Sequence, residues 1–407
     1  MPEYRLNSCL RCMSFTIAEV KTWDVIIVGG GIIGLSLAIA LRKRGATVLV
    51  VERGEPGREA SSAAGGMLVD SPLETPPPLL ELASASARMY PRFAHEIEVE
   101  SGMRVDLREH GTILFVSEEH IRHPALATPS VRPTAISPAE LRQLEPALGQ
   151  RQSDKAELGQ DSDSQQSNEE ADEFFRAGQA LQLKERSIDP RALSRAAFKA
   201  AQHLEADFSA GDEVTTVEVE NGGASGVKTV KTAFAARHIV NCAGAWAGSI
   251  APVALPTRPV KGQMLCLVMQ PGNLLRHVIR TPDVYLIPRS DGRLLVGATV
   301  EEAGFDKRTD TSAIQGLHRA ALSLVPRLAD AKILEDWAGL RPGTRDNLPI
   351  LGETHIPGYY IATGHFRDGI LLAPITAQVM ADVIEGRGSE YSLAPFSPSR
   401  FSLRHSD

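Results

Sequence analysis

Residues 24–52 limit what this chain can fold into more than any other stretch. "DVIIV" is a short, apolar, β-branched run, the composition of a strand buried on both faces. It runs into "GGGIIG", which sets G-x-G-x-x-G at Gly29, Gly31 and Gly34. "IIGLSLAIALRKRG" has helical apolar spacing, with Arg and Lys in its last turn and Gly45 as its stop. "TVLVVE" is a second buried strand that ends on Glu52. Each piece has a task. Gly29 permits the tight turn, Gly31 lets a pyrophosphate approach the backbone, and Gly34 lets helix and strand pack closely. The helix N-terminus offers free N–H groups to phosphate. Glu52, 18 residues beyond Gly34, can accept from ribose hydroxyls. The unit predicts a dinucleotide site.

Three later features favour FAD over NAD. "REASSAAGGM", Arg58 to Met67, is rich in small residues that can lie against a flat ring system. "SIDPRALSRAAFKAAQHLEAD" opens a helix at Asp189–Pro190. "DEVTTVEVENGG" then turns at Asn221–Gly222, and "RHIVNCAGAW" returns as a buried strand ending on Gly244. "GYYIATGHFRDGILLAPITAQVMADVIEG" gives a strand, a glycine turn at Gly364 and a helix beginning near Pro374. A helix N-terminus there would stabilise the negative charge of a reduced flavin.

Between these segments the chain reads as antiparallel sheet. "VDLREHGTILFV" and "PVKGQMLCLVM" are strands, and "VYLIPRSDGRLLVGAT" is a hairpin turning at Ser290-Asp291-Gly292. "TSAIQGLHRAALSLVP" is an amphipathic helix capped near Ser312. The expected fold is α/β: a Rossmann-type FAD-binding domain assembled from three segments, 23–90, 176–255 and 336–390. An α+β substrate domain with an antiparallel sheet takes 91–148 and 256–335. Residues 1–22 are read as a disordered leader and 149–175 as a polar acidic insertion. Gly149 to Asp172 alone carries seven acids and two bases, against −7 for the whole chain.

The second half contains "GLRPGTRDNLPILG", read as a rigid turn that presents Arg341 over a cavity. A guanidinium can grip a carboxylate through two parallel hydrogen bonds. Tyr285 can add a phenolic one. Against this, Arg341 can pair structurally with Asp336 or Asp346, and Tyr285 can be a sheet residue only. His365 is read as satisfying a backbone group rather than acting as a base.

Other chemistries find little support. No basic stripe suggests nucleic acid, and no run of 18 apolar residues suggests an integral membrane segment. Metal-ligand spacing and a G-x-S-x-G elbow are absent. Four cysteines, with Cys9 and Cys12 as a C-x-x-C in the leader, point to a reducing cytoplasm. The leader lacks the apolar run of a signal peptide. A homo-oligomer is compatible with the sequence.

"DVIIVGGGIIG", "ASSAAGGM", "WAGLRPGTRDNLPILG" and "IATGHFRDGILLAP" together resemble the D-amino-acid oxidase group of FAD-dependent oxidoreductases, most of all the thiamine-pathway glycine oxidases. The resemblance implies non-covalent FAD, a small amino-acid substrate, and dioxygen as acceptor. The products would be an imine and hydrogen peroxide, supplying thiamine thiazole synthesis. It implies that Arg341 binds the substrate carboxylate with Tyr285, and that Arg367 lies at the flavin. Gly29, Gly31, Ile32, Ile33, Gly34, Glu52, Arg53, Ala60, Ser61, Gly65, Gly66, Met67, Val214 and Gly244 would form the cofactor site. His365, Phe366, Arg367, Asp368, Gly369, Ile370 and Leu371 would complete it. Asp368 stands where the group commonly has Asn, and a helix-capping role is expected for it. The readings left open are a D-amino-acid or proline-type dehydrogenase that reduces a quinone, a sarcosine-type oxidase with covalent flavin, and a non-catalytic dinucleotide-binding module.

Overall fold

A computed structural model describes residues 21–116, 133–149 and 179–401. The expected leader and acidic insertion, with Cys9 and Cys12, lie outside the described residues, apart from 21–22 and 149 at their edges.

Two eight-stranded sheets organise the chain. The first contains β1 (Thr22–Val28), β2 (Val48–Glu52), β8 (Asp207–Ala210), β9 (Val214–Glu220), β10 (Gly223–Thr229), β11 (Ala233–Asn241), β17 (Ile350–Glu353) and β18 (Tyr359–Thr363). Its order β17-β18-β11-β1-β2-β8 is parallel from β18 to β8. The second contains β4 (Thr112–Val116), β5 (Thr134–Ile136), β6 (Gln179–Leu183), β12 (Arg258–Val268), β13 (Val278–Arg280), β14 (Tyr285–Pro288), β15 (Arg293–Gly297) and β16 (Lys332–Gly343). A two-stranded piece pairs β3 (Met67–Leu68) with β7 (Arg186–Ser187). The helices are α1 (Ile32–Lys43), α2 (Ala60–Ala63), α3 (Leu80–Ser101), α4 (Pro138–Leu144), α5 (Pro190–His203), α6 (Thr311–Leu324) and α7 (Gly369–Ile384).

The continuous apolar runs of β1 and β2 follow from burial on both faces. Val25 and Ile27 join the core under the helices, while Ile26 and Val28 join the core on the opposite face. Val48 and Val50 go with the first pair, Leu49 and Val51 with the second. Period-two alternation thus feeds two apolar layers from one run. The second sheet is asymmetric. Leu265, Leu267, Leu286 and Val296 pack with Leu317, Ala321 and Leu324 of α6. Met264, Cys266, Ile287 and Leu295 cluster separately, with Tyr285 against them.

Several local readings shift. β11 ends at Asn241, and Gly244 instead opens a 3₁₀ turn. The cap of α6 is Asp310, whose carboxylate accepts from Ala313 N, rather than Ser312. α7 begins at Gly369, five residues before Pro374, which lies inside it. Proline there removes one N–H and crowds the preceding carbonyls. Two hydroxyls from α3 take those carbonyls: Tyr90 Oη donates to Ile370 O at 2.5 Å and Ser86 Oγ to Leu371 O at 2.6 Å. Arg341 is not on a turn. It lies in β16, paired with Val260 of β12, in the second sheet. Pro342 fits there because β16 is an edge strand and this residue's polar groups face outward, its carbonyl accepting from Phe366 N at 2.9 Å, so no ladder donor is lost. β16 and β6, drawn with the nucleotide segments in the sequence, thus pair in the second sheet.

Candidate active site

The nucleotide unit folds as its glycines require. Gly29 has φ +106°, and a Cβ there would fall 2.6 Å from Cys242 O. A Cβ on Gly34 would fall 2.1 Å from Gly29 O, so only hydrogen allows α1 to sit on the turn. The Glu52 carboxylate accepts from Gly30 N at 2.7 Å and Gly54 N at 2.8 Å, which fixes it at the end of β2. Ser61 Oγ accepts from Ile32 N at 2.9 Å and ties α2 to the start of α1.

The small-residue strip is held from the second sheet. Trp337 Nε1 donates to Ala63 O at 3.1 Å, and Arg289 Nη2 donates to Gly65 O at 2.6 Å. Arg289 is fully buried, and desolvation pushes its guanidinium down to about 10. Between the strip and the sheets lies a cavity of about 650 Å³, of the size that takes a substantial small molecule.

Gly29, Gly31, Ile32, Ile33, Glu52, Arg53, Ala60, Ser61, Gly65, Gly66, Met67, Val214 and Gly244 line this cavity. So do His365, Phe366, Arg367, Asp368, Gly369 and Ile370, together with Arg341 and Tyr285. Gly34 lies behind the wall, and Leu371 is buried in the first core. Sequence reasoning missed Met264, Glu74, Arg280 and Trp246, which also line it. Trp246 had a signal, as an aromatic just beyond the glycine of "CAGAW". Glu74 and Arg280 had none, because they meet only in the fold, at 2.8 Å.

Arg341 of β16 and Tyr285 of β14 come together across the two strands, β12 and β15, that separate theirs in the sheet. Arg341 Nη1 donates to Lys261 O at 3.2 Å and Thr299 O at 3.1 Å. Asp346 is occupied with Arg400 and Thr344, so it does not neutralise Arg341. Among the described residues Arg341 has no carboxylate within salt-bridge distance. Desolvation lowers its pKa, opposed by Tyr285. Desolvation raises the Tyr285 pKa, opposed by Arg341 and Arg367. Glycines make the room: a Cβ on Gly262 would fall 2.3 Å from the Arg341 guanidinium, and one on Gly297 2.7 Å from the Tyr285 ring.

At the α7 end, His365 is 2% exposed, shares a 3.1 Å hydrogen bond with Thr376 Oγ1, and is pushed by burial down to about 3. It is neutral at ordinary pH, and it bonds a side chain rather than the expected backbone group. Asp368 occupies the N-cap position but makes no side-chain cap hydrogen bond, contrary to expectation. Its φ and ψ of −102° and 8° are far from the extended backbone with which a capping side chain reaches forward. Burial raises its carboxyl to about 6; Arg367 opposes the rise and Glu74 adds to it. The N-termini of α1 and α7 therefore reach one cavity without a side-chain cap. Two positive dipole ends, a glycine turn and a ribose-ready carboxylate fit a flavin dinucleotide. Cys242 lies in the wall near Gly29, and burial raises its thiol away from the reactive thiolate. Among the described residues no His/Cys/Asp/Glu group is arranged for a metal, and no helix is long and apolar enough to cross a membrane.

Fold and site together define a flavoprotein oxidoreductase. The model for the DAO family, described as FAD dependent oxidoreductase, matches residues 24–383, and the chain belongs to that family. It is 32% identical over 394 residues to the bifunctional protein ThiO/ThiG of Trichormus variabilis, which covers 95% of this chain and 56% of that protein. The chain thus spans a little over half the length of that relative. It is 33% identical over 390 residues to the glycine oxidase of Geobacillus kaustophilus, covering 93% of this chain and 97% of that one. A crystal structure of glycine oxidase from Geobacillus kaustophilus superposes with a TM-score of 0.83 at 31% identity, over 93% of this chain and 99% of that one.

Proposed function

We propose that the protein oxidises a small amino acid held by its carboxylate, with glycine the first candidate and sarcosine or a small D-amino acid beside it. Arg341 carries this reading: a guanidinium in the cavity wall, bonded to two carbonyls and lacking an acid partner among the described residues. The likeness to a glycine oxidase over nearly the full length of both chains supports it. The likeness to a ThiO/ThiG protein supports the thiamine connection drawn from the sequence motifs.

When bound, FAD supplies hydride acceptance from the α-carbon and electron delivery to dioxygen, leaving an imine and hydrogen peroxide. The residues of this chain supply position. Arg341 grips the substrate carboxylate as a fork, and the Tyr285 hydroxyl adds a hydrogen bond to the same group. Arg367 brings a second positive charge to that end. His365, neutral and tied to Thr376, takes no proton. Catalysis is then mainly orientation of the substrate within the cavity.

Oxygen consumption and peroxide formation with glycine, sarcosine, D-alanine and D-proline test the proposal. Peroxide from one of them in air supports an oxidase. Turnover only with a quinone would make the protein a dehydrogenase. Failure of all four to bleach the bound flavin without oxygen would end the reading.

A further inference from the structure

A ten-residue loop, 301–310, joins the second sheet to α6 and reaches across to the nucleotide half. Its neck is closed by one side chain. Gln263, fully buried on β12, donates through Nε2 to Glu301 Oε1 at 2.7 Å and accepts at Oε1 from Asp310 N at 2.6 Å. Glu301 and Lys261 also exchange backbone hydrogen bonds at 2.9 Å in both directions. A loop with a fixed neck carries its tip to a defined place.

The tip meets residues that line the cavity. Phe305, still 52% exposed, stacks on Trp246 with ring centroids 5.2 Å apart and planes 28° from parallel. Trp246 also takes the Arg53 guanidinium at 3.5 Å from its ring. Lys307 Nζ donates to both oxygens of Glu59 at 3.0 and 3.2 Å, and Glu59 also accepts from Arg53 at 3.3 Å. Arg53 and Glu59 share the loop between β2 and α2, Trp246 comes from the 3₁₀ turn after β11, and all three border the cavity with Glu52. A half-exposed phenylalanine and a surface ammonium add little to folding. Their placement has a use if they hold those three residues over a ligand.

We propose that loop 301–310 is a clasp for FAD, with Phe305 and Lys307 holding Trp246, Arg53 and Glu59 against the nucleotide end of the bound cofactor. These two are positioning residues: they act on FAD through others. The inference rests on the reading of the cavity as the FAD site, with the ribose end at Glu52. It also makes FAD retention a joint property of both sheets, because the neck belongs to one and the grip to the other.

The test uses the full chain and FAD itself. In Phe305→Ala/Lys307→Ala, FAD binding followed by flavin fluorescence is expected to weaken by about tenfold, from loss of one stacked ring and one ion pair. A dissociation constant within about twofold of the parent would overturn the clasp. A second measurement needs no variant. Trypsin cleavage after Lys307 and Arg308, followed by mass spectrometry, is expected to slow sharply when FAD is added to the apoprotein. Equal cleavage with and without FAD would also overturn it. Failure of the parent protein to bind FAD would instead remove the reading of the cavity on which the clasp stands.

Discussion

On the side of the first sheet the cavity is shaped by where the backbone runs: the turn at Gly29 to Gly31, the N-terminal ends of α1 and α7, and the small-residue strip from Ala60 to Met67. In the second sheet it is bounded by side chains that stand on antiparallel strands, with Arg341, Tyr285 and Met264 each projecting from its own. A backbone site needs glycine where contact is made. A side-chain site needs glycine next door, to leave space for the group that makes contact. Gly29 is of the first kind, with Gly34 behind it letting α1 close on the turn, and Gly262 and Gly297 are of the second. The same residue type serves two purposes, and the same substitution should fail in two different ways.

The largest expected effect breaks the first half. Gly34→Ala drives a Cβ into Gly29 O and should cost about 3 kcal/mol or more of stability, with loss of FAD. Thermal unfolding and flavin absorbance measure both; a yellow protein of parental stability would refute the backbone account. Arg341→Ala breaks the second half and should raise the KM for glycine at least about tenfold, since a charge-assisted pair contributes about 1.5–3 kcal/mol. FAD titration should not change. Gly262→Ala should act in the same direction by displacing the guanidinium. Loss of FAD in either variant would show that the halves are not separable in this way.

Asp368 sharpens the comparison, being a side-chain charge within the backbone half. Burial holds its folded-state carboxyl at about 6, above its ordinary 3.8. The folded protein therefore holds a proton that the unfolded chain has lost, and stability falls as pH rises through that window. Asp368→Asn should stabilise the apoprotein at pH 8 by on the order of 2 kcal/mol and give no comparable gain at pH 4. Equal gains at both pH values in denaturant titrations would discard the buried-charge account. The smallest expected effect is Tyr285→Phe, about 1 kcal/mol in substrate binding with FAD affinity intact. A KM equal to the parent's would leave Tyr285 as a sheet residue only.

What was legible in the sequence was what neighbours in sequence decide. The strand–turn–helix–strand unit, the Asn221–Gly222 and Ser290–Gly292 turns, and the Asp189 cap of α5 all formed where local chemistry placed them. Misreadings arose where a distant partner overrode a local rule. Pro374 looked like a helix start because the hydroxyls of Tyr90 and Ser86 lie some 280 residues away in sequence. Gly-Leu-Arg-Pro-Gly looked like a turn because its partner β12 lies about 80 residues back. The cavity's supports, Arg289, Trp337 and Gln263, had no local signature. Nothing beside them in the chain shows which carbonyl or amide they will reach.

The repair of α7 behind its proline reaches beyond that helix. The two carbonyls that Pro374 disturbs belong to Ile370, which lines the cavity, and to Leu371, buried next to it. α3 therefore acts as a rear mount, and the aim of the α7 dipole is set by groups no ligand ever touches. An enzyme tuned by selection or by design could re-aim that field from position 86 or 90, leaving every wall residue as it is.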